Sequence, residues 1–559
     1  MNRIIGSLGF ANYADFLKKF VLPIIGISVS MFFVILLLFR DFPFYIPYIM
    51  LGMGIGFIFI YPYIVFDAKR TNIQNTIHLF ITYAGTISTL SLARSQIFRK
   101  LADKEIYKEI SDSMKRIVYL ATEWKLGFSK ATRRVADSVP SVMYADFLDR
   151  LASALDFGEE LETFFVQEQD AVLLDYETMY RGSLQTISMI QDVFVAITIS
   201  VAFALASSLL LPLLLGMSVF TVIKWCLYGL IIIDVFLVIM VKGSIPNDPL
   251  MHSLPLKYCT KEIGITRLFF IISICVSIIL AAVFMATFHW PLLVSLSLAS
   301  VPMAIVGIQG LRMDRQVFYK DRVYPTFIRA VGSSLFAKGG TMIGTLQTLR
   351  VHRFGYIDEM IENLYRRLRL GCDKFESWIY FIGESNSNLI KNFTHIFIES
   401  IYFGGQPQKI AEIISKNFQR VLSLRKLKHQ VVQGMRGAMY GALVGFTVSI
   451  FVSVEISNVL FNMFEGAFTG AGQTGDIASI TSAIMPGGMQ TVNMSLLMVY
   501  VTVMVLFHAF VSSYVIKLVD GGSKYAMFFD FTAMLAIGAL ISWGVPVVFR
   551  MMMGPIIGT

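Results

Sequence analysis

The stretch closest to nucleotide chemistry is Lys338-Gly339-Gly340-Thr341-Met342-Ile343-Gly344-Thr345. A phosphate-cradling loop of the form GxxxxGK[ST] needs a lysine directly after its last glycine, to neutralise the phosphates, and then a hydroxyl for the metal. Here Thr345 follows Gly344, so that charge is missing. No HExxH, GxSxG or kinase signature occurs. The four cysteines, Cys226, Cys259, Cys275 and Cys372, lie far apart with no CxxC pair, which argues against a zinc ribbon or a disulfide framework. No catalytic, cofactor-binding or metal-binding set is expected. If the chain takes part in energy-dependent work, another chain must hydrolyse the nucleotide.

Four polar residues interrupt apolar runs: Asp234, Glu455, His508 and Asp530. A charge at the bilayer midplane costs about 2.5–3.5 kcal/mol on insertion scales, so each is a candidate for a proton or substrate path. The plainer reading is hydrogen bonding between helices or, for Asp530, a place near the interface. No two of the acids share a run at helical spacing, and no further basic residue sits mid-run as an obvious partner. That favours the plainer reading, with Glu455 the exception of most interest.

Basic residues cluster at Arg366, Arg367, Arg369 and Lys374, and again at Arg133 and Arg134. The first group lies in a basic island, Gly310 to Met435, with nineteen Lys/Arg against ten Asp/Glu; its net +9 equals that of the whole chain. An earlier polar segment, 67–191, has fifteen against seventeen, a net −2, and its acids crowd into Asp137–Glu177. Such asymmetry can orient a partner and steer its approach. A solvated face near anionic headgroups is the alternative.

The elements that must position these residues are membrane helices. The chain has 559 residues, 55% of them hydrophobic and only 15% charged, with mean hydropathy +0.66. A soluble chain carries roughly a quarter charged residues, so this composition points to a membrane protein with polar segments. A span needs about 20 mostly apolar residues. Nine such runs are read: Val21–Phe39, Phe44–Phe66, Val193–Val219, Val222–Val241, Leu268–Phe288, Trp290–Ile308, Met439–Met463, Met494–Ile516 and Met527–Val548. Lys18/Lys19, the basic loop with Lys242, Lys257, Lys261 and Arg267, and Lys517/Lys524 then share one side with both polar segments. The Gly-rich loop Gly466–Asn493, which has no Lys or Arg, lies on the other. Positive-inside places the N-terminus and both polar segments in the cytoplasm and the C-terminus outside.

Both polar segments carry amphipathic helical stripes: Ile106, Ile110, Met114, Ile117 and Ala121 in the first, Ile357, Ile361, Leu364 and Leu368 in the second. They also echo each other. A shift of 247 aligns Phe80 with Phe327, Gly85 with Gly332 and the two stripes, and a shift of 246 aligns Phe147 with Phe393 and Phe157-Gly158 with Phe403-Gly404. The expected fold is an all-α polytopic membrane protein of about nine transmembrane helices with two homologous cytoplasmic helical bundles, a tandem duplication. Its domains are 1–66, a tail and transmembrane hairpin; 67–191, the first bundle; 192–309, four spans; 310–435, the second bundle; and 436–559, three spans with the outside loop.

Each segment has an early glycine (Gly85, Gly332), a central amphipathic helix ending in Leu126-Gly127 or Leu370-Gly371, and the aromatic-Gly pair already noted. On these features the chain resembles the type II secretion F domain family, the platform proteins of secretion systems and type IV pili. Its length, span count and extended outside loop look most like the archaellum branch. The resemblance implies a non-enzymatic protein of the cell membrane. It implies a cytoplasmic hexameric secretion ATPase, pilin- or archaellin-like filament subunits and other archaellum motor components as partners. A homodimer in the lipid bilayer, with no nucleic acid and no cofactor, is also implied. Arg366, Arg367, Arg369 and Lys374, then Arg133 and Arg134, are the expected ATPase contacts, on charge clustering alone. The rivals are a platform of an adhesion pilus or secretion system, a secondary transporter that needs Glu455 or Asp234, and a membrane-bound enzyme.

Overall fold

The structure is a computed structural model that describes residues 17–26, 28–30, 45–90, 92–215, 219–258, 261–287, 290–339, 341–471 and 494–557. Apart from one isolated bridge, Met251 to Ser387, regular structure among these residues is helical. In chain order the helices are α1 (Tyr45–Ser88), α2 (Arg94–Ala102), α3 (Glu109–Thr122), α4 (Phe128–Ala136), α5 (Val142–Asp156), α6 (Leu161–Leu215), α7 (Val219–Ser244) and α8 (Lys261–Thr287). They continue with α9 (Leu292–Ala299), α10 (Val301–Ala337), α11 (Met342–Leu349), α12 (Asp358–Arg369), α13 (Lys374–Ser385), α14 (Asn388–Tyr402), α15 (Pro407–Ala471), α16 (Met494–Asp520) and α17 (Met527–Ile557).

Six helices among the described residues are long and apolar enough to cross a membrane, or seven if α9 and α10, bent by 44°, make one broken span. These are the third to ninth of the nine expected runs. The first, Val21–Phe39, lies about half outside the described residues, and the second, Phe44–Phe66, falls in the first half of α1. Most of the loop Gly466–Asn493 also lies outside them, its start being the end of α15. The bend between α9 and α10 has a local cause. Pro302, with no N–H, sits in the first turn of α10, so the helix restarts at Ser300 instead of running through.

The composition boundaries at 66/67, 191/192, 309/310 and 435/436 all fall inside helices: α1, α6, α10 and α15. A change from apolar to polar side chains leaves the main-chain bonding of a helix untouched. α15 therefore runs for 65 residues and α6 for 55, about 100 and 80 Å at 1.5 Å per residue. The two pack along each other more extensively than any other helix pair.

Each polar segment contains four short helices between two long ones: α2–α5 between α1 and α6, and α11–α14 between α10 and α15. The amphipathic stripes line their cores. Ile110, Met114 and Ile117 are buried in α3, as are Ile361, Leu364 and Leu368 in α12, with Ile357 just ahead of it; Ile106, on a 3-10 turn, is exposed instead. α5 and α14 end in the same motif. Gly158 (φ 75°) and Gly404 (φ 86°) adopt the left-handed conformation, and the next residues, Glu159 and Gly405, donate back to the Ala154 and Ser400 carbonyls at 2.9 and 3.1 Å.

Candidate functional site

The expected ATPase contacts lie where α12 meets α13 and on α4. α12 is capped by its charges: Asp358 and Glu359 open its first turn and Arg366, Arg367 and Arg369 close its last. Asp373 starts α13 by accepting from the Glu376 amide at 2.8 Å. The tight turn between them exposes Arg366, Arg369, Lys374, Phe375 and Leu370, the last 81% exposed. Arg366 pairs with Glu362 on its own helix (2.9 Å), and no carboxylate reaches Arg369 among the described residues. Lys374 lies 5.7 Å from the Tyr402 ring centroid. Arg367 differs: it is half-buried, ion-paired to Glu384 and stacked on Tyr380. On α4, Arg133 and Arg134 are both exposed, and Arg133 pairs with Asp156 at 3.0 Å. The α3–α4 turn beside them exposes Trp124 (64%) and Leu126. Each segment thus presents an apolar and basic turn; Arg367 is held inward by Glu384, and Arg133, though exposed, is engaged by Asp156.

The residues that fix the second segment to the loop between the two segments were not legible as a motif. Arg425, on α15 and 6% exposed, donates to Asp248 (Nε to Oδ2, 2.8 Å), Asp321 on α10 (2.9 Å) and the Pro249 carbonyl (3.0 Å). Asp248 belongs to the loop between α7 and α8. Burial alone would raise its carboxyl, but the adjacent Arg425 guanidinium reverses this and holds it below the ordinary value. Lys428, one turn further on α15, is buried and donates to the Asp248 carbonyl at 3.2 Å. His78 of the first segment approaches the same charges and stacks on Tyr176 at 4.3 Å; burial lowers it to about 4. The loop is pinned further by Leu250 N–H to Gly521 O (3.0 Å), Asn388 N–H to Leu250 O (3.0 Å) and His252 Nε2 to Gly383 O (3.2 Å). Its basic residues had marked it as a topological signal. The lone acid in Pro246-Asn247-Asp248-Pro249 was the available hint, since two prolines stiffen a turn around it.

Acid and base in the two segments also meet directly. Lys416 and Arg420 reach Asp170 (2.9 and 2.8 Å), Lys409 reaches Glu162 (2.7 Å) and Lys104 reaches Glu399 (2.6 Å). Between these pairs Asn417 donates to Thr82 (3.0 Å) and Gln169 (2.6 Å). Part of the charge asymmetry is therefore satisfied inside the chain.

Of the intramembrane residues, Asp234 on α7 and His508 on α16 come together. His508 Nδ1 is 3.1 Å from Asp234 Oδ1, both side chains are fully buried, and the Phe194 and Phe446 rings flank the imidazole. Asp530 accepts from Tyr440 (3.1 Å) and pairs with Arg436 (3.0 Å). Glu455 is buried with no ion pair or hydrogen bond among the described residues. This arrangement suits helix-to-helix bonding for the first two acids.

Over 439 residues the chain is 35% identical to flagella accessory protein J of Methanocaldococcus jannaschii, which covers 76% of this chain and 77% of that one. It is 28% identical over 544 residues to flagella accessory protein J of Methanococcus voltae, 94% of each chain. An uncharacterized protein of M. jannaschii is 19% identical over 399 residues, 66% of each. No family model matches the chain, and no solved structure does.

Proposed function

The chain belongs to the flagella accessory protein J family, and from that premise we propose that it is the membrane platform of an archaellum. It docks a cytoplasmic hexameric secretion ATPase on its two helical segments and couples ATP hydrolysis to the assembly of filament subunits and to rotation. The observation that supports this most is the continuity of α6 and α15 from bundle to apolar span. A push on either bundle acts on a helix that itself enters the membrane, with no flexible linker to absorb it. The buried Arg425 junction ties α15, α10 and the α7–α8 loop into one unit, and Lys409, Lys416 and Arg420 tie α15 to α6.

In this reading the six-helix segments are copies of one ancestral unit, and both face the cytoplasm. The docking surface is the pair of equivalent turns: Arg366, Arg369, Leu370, Lys374 and Phe375 on one, and Trp124, Leu126 and Arg134 on the other. Exposed apolar groups ringed by cations suit a partner surface that is acidic around an apolar centre. The test is co-purification of the ATPase with full-length protein carrying Arg366→Glu, Arg369→Glu and Lys374→Glu. Loss of most binding at moderate salt is expected. Unaltered binding removes this turn from the docking surface.

A further inference from the structure

We propose that a cavity of about 470 Å³ between α10, α15 and the α16–α17 turn is a binding site for a phosphate group, supplied by the headgroup of an anionic membrane lipid. The cavity runs along α15 from Arg425 to Arg436, about 16 Å of helix. Its far end, at Leu311 and Arg436, is where α10 and α15 become apolar. The site therefore sits at headgroup depth, open both to the bundle side and to the bilayer edge.

The charges in it do not balance internally. Its carboxylates are all engaged: Asp248 by Arg425, Asp314 by Lys517 (2.8 Å), and Asp520 by Lys517 (3.7 Å) and His429 (3.4 Å). Arg436 is held by Asp530. Three cations remain that no carboxylate reaches among the described residues: Arg315, Arg322 and Lys428. Lys428 is buried, and its ammonium, with three donors, bonds a single main-chain carbonyl. Arg315 and Arg322 are exposed and lie seven residues apart, two turns along one face of α10, with Phe318 between them. A buried cation short of acceptors, with two free guanidiniums at the mouth, matches a phosphodiester: its oxygens accept from Lys428 and the forks, and its acyl chains leave past Leu311.

The test is native mass spectrometry of the full chain in detergent, with phosphatidylglycerol or phosphatidylcholine added at equal concentration. Retention of phosphatidylglycerol should exceed that of phosphatidylcholine by roughly 10–30-fold, the effect expected of two surface arginines. R315Q/R322Q should abolish the difference; no carboxylate pairs with either side chain among the described residues, so the fold should survive. Equal retention of the two lipids, or a preference that survives R315Q/R322Q, overturns the proposal. Displacement of bound phosphatidylglycerol by millimolar inorganic phosphate overturns the lipid as the source. None of these outcomes depends on the ATPase, so the platform reading stands or falls separately.

Discussion

The two polar segments share an order of helices and differ in how they hold charge. In the second, Asp321 and Arg425 build the buried junction with Asp248. At the same offsets the first segment has Gln74 and Met179, an amide and a thioether. One segment is thus a six-helix unit with an uncharged seat, and the other is the same kind of unit with a charged latch. The difference teaches that the basic excess of 310–435 is not only an outward face. Part of it turns inward, to the loop between the segments and to the acids of α6.

The largest break in that contrast should come from Arg425→Ala. It strands two carboxylates without their buried cation, and removing one partner of a buried pair costs about 3–5 kcal/mol. Thermal unfolding of the purified protein should show a large fall in midpoint, and equal stability would mean the latch is idle. The matching change in the first segment, Met179→Ala, removes a half-buried thioether and should cost less.

Second in size is a pH effect at His78. Its folded-state pKa, about 4, lies below the ordinary 6.5 because burial disfavours the imidazolium. The unfolded chain therefore binds the proton more readily between those values. The stability tied to neutral His78 is complete above pH 6.5 and is lost as pH falls toward 4, by about 3 kcal/mol in all. His78→Phe, which keeps the ring against Tyr176, should flatten that part of a stability-against-pH curve. An unchanged slope would place the sensitivity elsewhere.

The paired glycines sharpen the comparison at a smaller scale. A Cβ at Gly332 would collide with the Ala411 methyl and lie 2.6 Å from the Pro407 carbonyl, main chain that cannot step aside. At Gly85 the obstacle is the end of the Gln169 side chain, which can move but would loosen its bond from Asn417. Gly332→Ala should cost about 1–3 kcal/mol and Gly85→Ala about 1 kcal/mol, read by thermal melts. The reverse order would mean that the segments are seated differently. Smallest is Asp170→Asn. Its partners Lys416 and Arg420 are well exposed, so each lost pair is worth about 0.2–1 kcal/mol, and raising the salt should erase the difference.

Much of the fold was legible because it depends on local pattern. The stripes through Ile110 and Ile361, the turn glycines Gly158 and Gly404, and the seven later apolar runs all report on their own neighbours. The continuity of α6 and α15 was hidden, since a composition change looks like a boundary although the main chain does not sense it. The latch was hidden for a different reason: Arg425, Asp248 and Asp321 are remote in sequence, and nothing local distinguishes a buried arginine from an exposed one. The same blindness grouped half-buried Arg367 with exposed Arg366. Asp234 and His508 were both visible as costly residues, but their pairing across α7 and α16 was not.

The most direct test of a platform driven through its twin bundles is photocrosslinking in membranes, with a photoreactive residue at Leu370, at Leu126 or, as a control, at membrane-facing Ile278. Crosslinks to the secretion ATPase from both Leu370 and Leu126, and none from Ile278, are the predicted result. An ATPase that crosslinks from neither turn would contradict it.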